Sequence, residues 1–286
     1  MSMMKRWAKW TGSVAVVICL ATFGAVWQKR QVKTLRHEVP STIAPVFLVP
    51  GSSAGQNRFD PLIRRLNRGR QPHSVLKVKV GKDDHLTYTG RIRKGDRHPF
   101  IVVAFSNNRD GYANIKQQAR WFSIAFRALM KLYHFNHFSA VGHSNGGIVL
   151  TLFLERYLPA HVTAERLLTI ASPYNLERRT AKKTQMLKDL IRERKQLPTT
   201  LKVYSIAGTQ NYSGDGTVPF MSVDSGKYVF QNQVASYTEI VVTGVATNHH
   251  QLPQNRQIIN LINQYVLHEN ISDTVKRQNK LLPRIK

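Results

Sequence analysis

The chain has 286 residues, enough to bury one sizeable core, and α/β enzymes of this length commonly fold as one domain. Lys and Arg number 42 against 16 Asp and Glu, a formal charge of +26 that makes nucleic acid, anionic lipid and acidic wall polymers candidate partners. Cys19 is the single cysteine, which excludes an intramolecular disulfide and a cysteine-based metal site and leaves the redox compartment open.

At the N-terminus Lys5, Arg6 and Lys9 precede the uncharged run TGSVAVVICLATFGAVW, Thr11 to Trp27, the pattern of a basic flank before an apolar targeting segment. Its length sits at the low end of the roughly 17–25 residues that span a bilayer, and Trp10 and Trp27 would lie at the two interfaces. Residues 1–28 therefore read as a signal anchor or signal peptide. The uncleaved anchor is preferred, because no small-x-small cleavage site stands out and Val16, Val17 and Ile18 are poor neighbours for lipoprotein processing at Cys19. A buried core helix is the blander alternative. Lys29, Arg30, Lys33 and Arg36 follow the segment, so charge bias leaves its orientation open. Residues 29–42, polar and basic and ending in EVPST, read as a stalk.

The folded domain is expected over residues 43–268. APVFLVPGSSAG is an apolar strand entering a Gly/Ser loop, and Phe59, Leu62, Ile63 and Leu66 then recur at helical spacing. SVLKVKV and HLTYTGRI alternate around GKDD, which predicts an antiparallel hairpin, while the unalternating FIVVAF predicts a strand covered on both faces. Helical spacing runs from Tyr112 to Tyr133, the strand FSAVG follows, and another helix is predicted from about Gly147 to Tyr157. RLLTIASP, LKVYSIAG and YTEIVVTG are further strands, and NRQIINLINQYVLH is a closing amphipathic helix. Such alternation predicts an α/β domain with a mainly parallel sheet and helices on both faces. Residues 269–286 form a basic tail.

VGHSNGGIVL places Ser144 in a G-x-S-x-G turn between a predicted strand and a predicted helix, the context in which a nucleophilic serine is held in a strained bend with Oγ exposed. A plain Gly/Ser loop is the alternative. A serine needs a base, and the base a partner that fixes its tautomer. SGDGTVP supplies Asp215 after one later strand, and TNHHQLP supplies His249 and His250 after the next. Each alone is more often a turn or an exposed loop residue; at the ends of successive strands, in the order Ser, Asp, His, they form a candidate triad. The two histidines point to opposite sides if their loop is extended. The oxyanion hole needs two backbone N–H groups; Asn145 offers one and Ser52, after Gly51 in VPGSSAG, the other.

The set FLVPGSSAG, YHFNHFSAVGHSNGG, LLTIASPYN, SGDGTVP and NHHQLPQN, in this order over residues 43 to 268, resembles the α/β-hydrolases grouped as domain of unknown function 915, lipase-like proteins at the surface of Gram-positive bacteria. The resemblance implies an α/β-hydrolase fold and a serine hydrolase of esterase or lipase type, acting outside the cytoplasm on a small-molecule or lipid ester. Pro50 stands where the family usually has a His before the glycine, and Pro253 where it usually has a second His. Matching HHQLPQN to the family's His-Ser-x-Leu-His pattern puts His249 on the first His, so His249 is the expected base and His250 the alternative.

Between strands, where this family of folds often inserts a cap, residues 178–198 carry an apolar stripe of Met186, Leu187, Leu190 and Ile191 beside many Lys and Arg. A cap over the site, a helix lying on an anionic membrane and a solvated surface helix are all compatible with it. A rival to the enzyme reading is a non-catalytic module of the same fold that holds anionic wall or membrane polymers. A nucleic-acid role is disfavoured, because the basic residues are not interleaved with aromatics in any recognition motif. Nothing in the sequence points to a metal or an organic cofactor.

Overall fold

Four apolar residues in a row, Val46–Val49, make strand β1, and all four are buried because helices cover both faces of the sheet at its centre. The computed structural model describes residues 43–68, 72–211 and 213–267; the expected anchor, stalk and tail lie outside them. In chain order β1 is followed by α1 (Asp60–Leu66), β2 (Val75–Val80), β3 (Leu86–Arg91), β4 (Phe100–Phe105), α2 (Tyr112–Tyr133), β5 (His137–His143) and α3 (Asn145–Arg156). Then come β6 (Thr163–Ile170), α4 (Gln185–Glu193), β7 (Lys202–Thr209), α5 (Phe220–Asp224), α6 (Lys227–Phe230), β8 (Ser236–Thr243) and α7 (Arg256–Tyr265).

The eight strands form one sheet in the order β3-β2-β4-β1-β5-β6-β7-β8. Only the β2–β3 hairpin is antiparallel, with Val80 opposite Leu86 around the Gly81–Asp84 turn. The other pairings are parallel, so the loops leaving β1, β5, β6, β7 and β8 gather at one edge. The register Val49↔Gly142 between β1 and β5 places the loop after β1 beside the serine turn.

Alternation along β1 feeds two cores. Phe47 and Val49 face α2, α3 and α4, whereas Val46 and Leu48 face α1 and α7. On the first side Phe47 meets Phe122 at 5.5 Å, Phe126 at 5.2 Å and Phe138 at 5.7 Å between ring centroids. Each such buried phenyl group stabilises the domain by about 1.5–3 kcal/mol. This packed sheet is the rigid base on which the loops stand.

Helix α4 falls within the segment expected to be a cap or surface helix. Thr184 caps its start, its Oγ1 accepting from Leu187 N at 3.3 Å. Met186, Leu187 and Leu190 are buried in the first core and Ile191 packs at its margin, so the apolar stripe turns inward and leaves only the basic face to solvent. No helix among the described residues is long and apolar enough to cross a membrane.

Candidate active site

Ser144 joins the end of β5 to the start of α3 with φ 56° and ψ −132°, a backbone that a side-chain-bearing residue adopts at a cost of about 1–3 kcal/mol. Two contacts hold it there: Ser144 N–H donates to the Ile170 carbonyl at 2.8 Å, and its own carbonyl accepts from Gly147 N–H at 3.0 Å. The turn needs glycine at 146 because a Cβ there would run into the Val49 carbonyl. Gly51 is needed for a similar reason, since a Cβ would lie 2.6 Å from Ser144 Cβ. The result is a half-buried hydroxyl that makes no hydrogen bond with the described residues.

Asp215, 1% exposed in the loop after β7, accepts at Oδ1 from Thr217 N–H (3.0 Å) and Val218 N–H (2.7 Å). Its Oδ2 lies 2.6 Å from His249 Nδ1. A carboxylate only accepts, so Nδ1 carries a hydrogen, and in the neutral ring the lone pair is then at Nε2. A backbone bond from His249 N–H to the Asp215 carbonyl at 3.0 Å fixes the two loops together. The His pair sits in consecutive turns rather than in extended chain, so the expected opposition of two side chains on a strand does not apply. His249 turns toward Asp215, and His250 is exposed.

His143, immediately before Ser144, is buried and its ring lies 4.7 Å from that of His249. Its Nε2 is 3.1 Å from the His249 carbonyl, which can only accept. Burial, reinforced by His249 and Arg58 nearby, holds the His143 pKa well below the ordinary histidine value, so the ring is neutral. Thus Ser144 and His249 are linked through the residue that adjoins the serine.

Asn145 and Ser52, the expected oxyanion residues, meet through their side chains: Asn145 Nδ2 donates to Ser52 Oγ at 2.7 Å and to Asp110 Oδ1 at 2.6 Å. Their backbone N–H groups make no hydrogen bond among the described residues. Ser53 N–H to the Asn108 carbonyl (2.8 Å) and Asn108 Nδ2 to the Ala54 carbonyl (3.0 Å) brace the loop that carries Ser52. On the other side Arg58 donates to the His250 carbonyl at 2.6 Å, and Arg65 of α1 to the Gln254 carbonyl. Sequence reasoning missed His143, Asp110 and Arg58, because their parts depend on which loops the topology brings together. Among the described residues no group of three His, Cys, Asp or Glu side chains is placed to hold a metal ion.

A mainly parallel sheet whose loops present a strained serine at one strand end and a His–Asp pair at two others is the framework of an α/β-hydrolase. Residues 33–269 match the family described as alpha/beta hydrolase of unknown function (DUF915), and the chain belongs to that family. It is similar to a protein from Lactobacillus plantarum WCFS1 named "putative cell surface hydrolase", at 56% identity and TM-score 0.76, over 84% of this chain and 97% of that one. The lin2722 product of Listeria innocua, 23% identical, shares the fold with TM-score 0.73 over 80% of this chain and 95% of its own. No curated protein matches the chain.

Proposed function

We propose that this hydrolase cleaves carboxylic ester bonds through Ser144, His249 and Asp215. The observation that carries the reading is the 2.6 Å contact between Asp215 and His249 beside a serine held at positive φ. His249 Nε2 takes the Ser144 proton as Oγ attacks the ester carbonyl, and Asp215 keeps the imidazole in the required tautomer and stabilises its cation. The developing oxyanion is received by the N–H groups of Ser52 and Asn145. His249 then returns its proton to the departing alcohol, leaving an acyl group on Ser144. Water, deprotonated by the same imidazole, releases the acid and restores the serine.

The same reading places the protein outside the cytoplasm, held by residues 1–28 or secreted. Its support is the basic-then-apolar pattern of that segment and the name of the L. plantarum relative. A fluorophosphonate probe tests the mechanism without knowledge of the natural substrate. Wild type should be labelled and Ser144→Ala should not; equal labelling of both, or none of wild type, would sink the reading.

A further inference from the structure

We propose that the sheet edge on which the candidate site opens docks on an anionic lipid surface, so that the ester comes from a lipid held in that surface. The substrate assignment rests on the esterase reading above; the docking rests on the surface itself.

The loop from Leu176 to Lys183 leaves β6 next to the serine, since Ile170 at the end of β6 is the residue whose carbonyl holds Ser144 N–H. It is a built loop. Asn175, 2% exposed, donates from Nδ2 to the Lys182 carbonyl at 3.0 Å and the Thr180 carbonyl at 3.4 Å, and its Oδ1 accepts from Thr184 N–H at 2.8 Å. Ser222 Oγ donates to the Leu176 carbonyl and ties the loop to α5. On this scaffold Arg178, Arg179, Lys182 and Lys183 all project to solvent, and none forms a salt bridge among the described residues. Exposed Glu177 stands beside Arg178, so the loop carries a net excess of three positive charges within eight residues, which raises the energy of the isolated domain and which an external anion relieves.

Apolar side chains stand out at the same edge. Val245, in the loop after β8, is 93% exposed and its loop is equally well braced: Asn255 Nδ2 donates to the Val245 carbonyl and Thr247 Oγ1 to the Gly244 carbonyl, each at 2.9 Å. Met221 of α5 is 46% exposed, and Tyr228 of α6, 42% exposed, lies under Lys183 Nζ at 5.0 Å. A soluble polyanion would explain the cations alone. Cations together with rigidly presented apolar tips fit a bilayer, whose headgroups take the charge while valine and methionine enter below them.

The test uses the full-length chain with Cys19→Ser and Val245→Cys, labelled at the new thiol with a polarity-sensitive fluorophore. A second chain carries the label at Lys94→Cys, exposed on the opposite edge between β3 and β4. Vesicles of phosphatidylcholine with phosphatidylglycerol should shift the emission at position 245 to the blue and leave position 94 unchanged, while phosphatidylcholine alone should do neither. Combining Arg178→Gln, Arg179→Gln, Lys182→Gln and Lys183→Gln should remove the shift and weaken the preference for phosphatidylglycerol several hundredfold, at about fivefold per cation. No shift at 245, equal shifts at both positions, or a shift that survives the four substitutions overturns docking. The same shift with soluble polyphosphate and no lipid also overturns it. Hydrolysis of p-nitrophenyl butyrate without vesicles separates the two claims: the quadruple variant should keep it, and a wild type that lacks it while showing the shift defeats the esterase reading and leaves docking standing.

Discussion

His143 donates from Nε2 to the carbonyl of His249 at 3.1 Å, with the two rings 4.7 Å apart, so the residue preceding Ser144 also fixes the loop that carries His249. Losing that bond lets the His249 ring drift, and a displacement of about 1 Å costs roughly a hundredfold in rate. His143→Ala should therefore lower kcat on p-nitrophenyl esters by about ten- to a hundredfold with little change in KM, and His143→Gln, which can still donate, should recover part of it. An unchanged kcat in His143→Ala would remove the positioning role.

The same residue links stability to pH. Its folded pKa lies well below the 6.5 of an exposed histidine, so in acid the unfolded chain gains a proton that the folded chain refuses. Stability is fully present above pH 6.5 and lost as pH falls toward the folded value. In His143→Gln the decline of Tm below pH 6.5 should be shallower than in wild type.

Glu155 of α3 works in the opposite direction. It is buried, neither carboxyl oxygen has a hydrogen-bond partner among the described residues, and burial, with Glu193 nearby, pushes its pKa from 4.5 up to about 9. Stability from the protonated form is complete below pH 4.5 and is lost progressively as pH rises to about 9. Glu155→Gln should stabilise the protein across that window, by about 1–3 kcal/mol at its alkaline end. Denaturant titrations of the two proteins that coincide at every pH would refute this.

Strain at Ser144 separates stability from activity. Ser144→Gly removes both the hydroxyl and the positive-φ cost, so it should abolish ester hydrolysis while raising stability by about 1 kcal/mol. A fall in Tm would mean that the serine side chain contributes more packing than its half-buried position indicates.

For the base, the contact with Asp215 ranks the histidine pair. His249→Ala and Asp215→Asn should each lower kcat by about 10⁴-fold, whereas His250→Ala should stay within about tenfold. Kinetics that rank His250 first would move the proton-accepting role to it.

How far the sequence reveals this molecule depends on the range of the interaction concerned. The helix from Tyr112 to Tyr133 was legible to both ends, because twenty-two residues carry a clear apolar period. The helix after Ser144 begins at Asn145 rather than near Gly147, since Gly146 and Gly147 are required for close packing there despite their poor helix propensity. Helices α5 and α6, five and four residues long, are too short to show any period. Turn chemistry and chain order, which are local, were enough to single out Ser144, Asp215 and His249 as candidates, and the structure brings Asp215 and His249 within 2.6 Å of each other. The bridge from Asn145 to Ser52 and Asp110 spans up to 93 residues of sequence, and no local pattern announces it.

The clamp from Arg58 to the His250 carbonyl closes over 192 positions, and the ring contact of His143 with His249 over 106. Contacts so far apart in sequence cannot form until both of the segments they join have been made. During synthesis the serine turn leaves the ribosome well before the His249 loop exists. On the proposed roles, a chain made only as far as β6 carries Ser144 without His249, and the site is complete only once the last loop and helix are in place. On that reading, chain order alone delays completion of the site until synthesis has nearly ended.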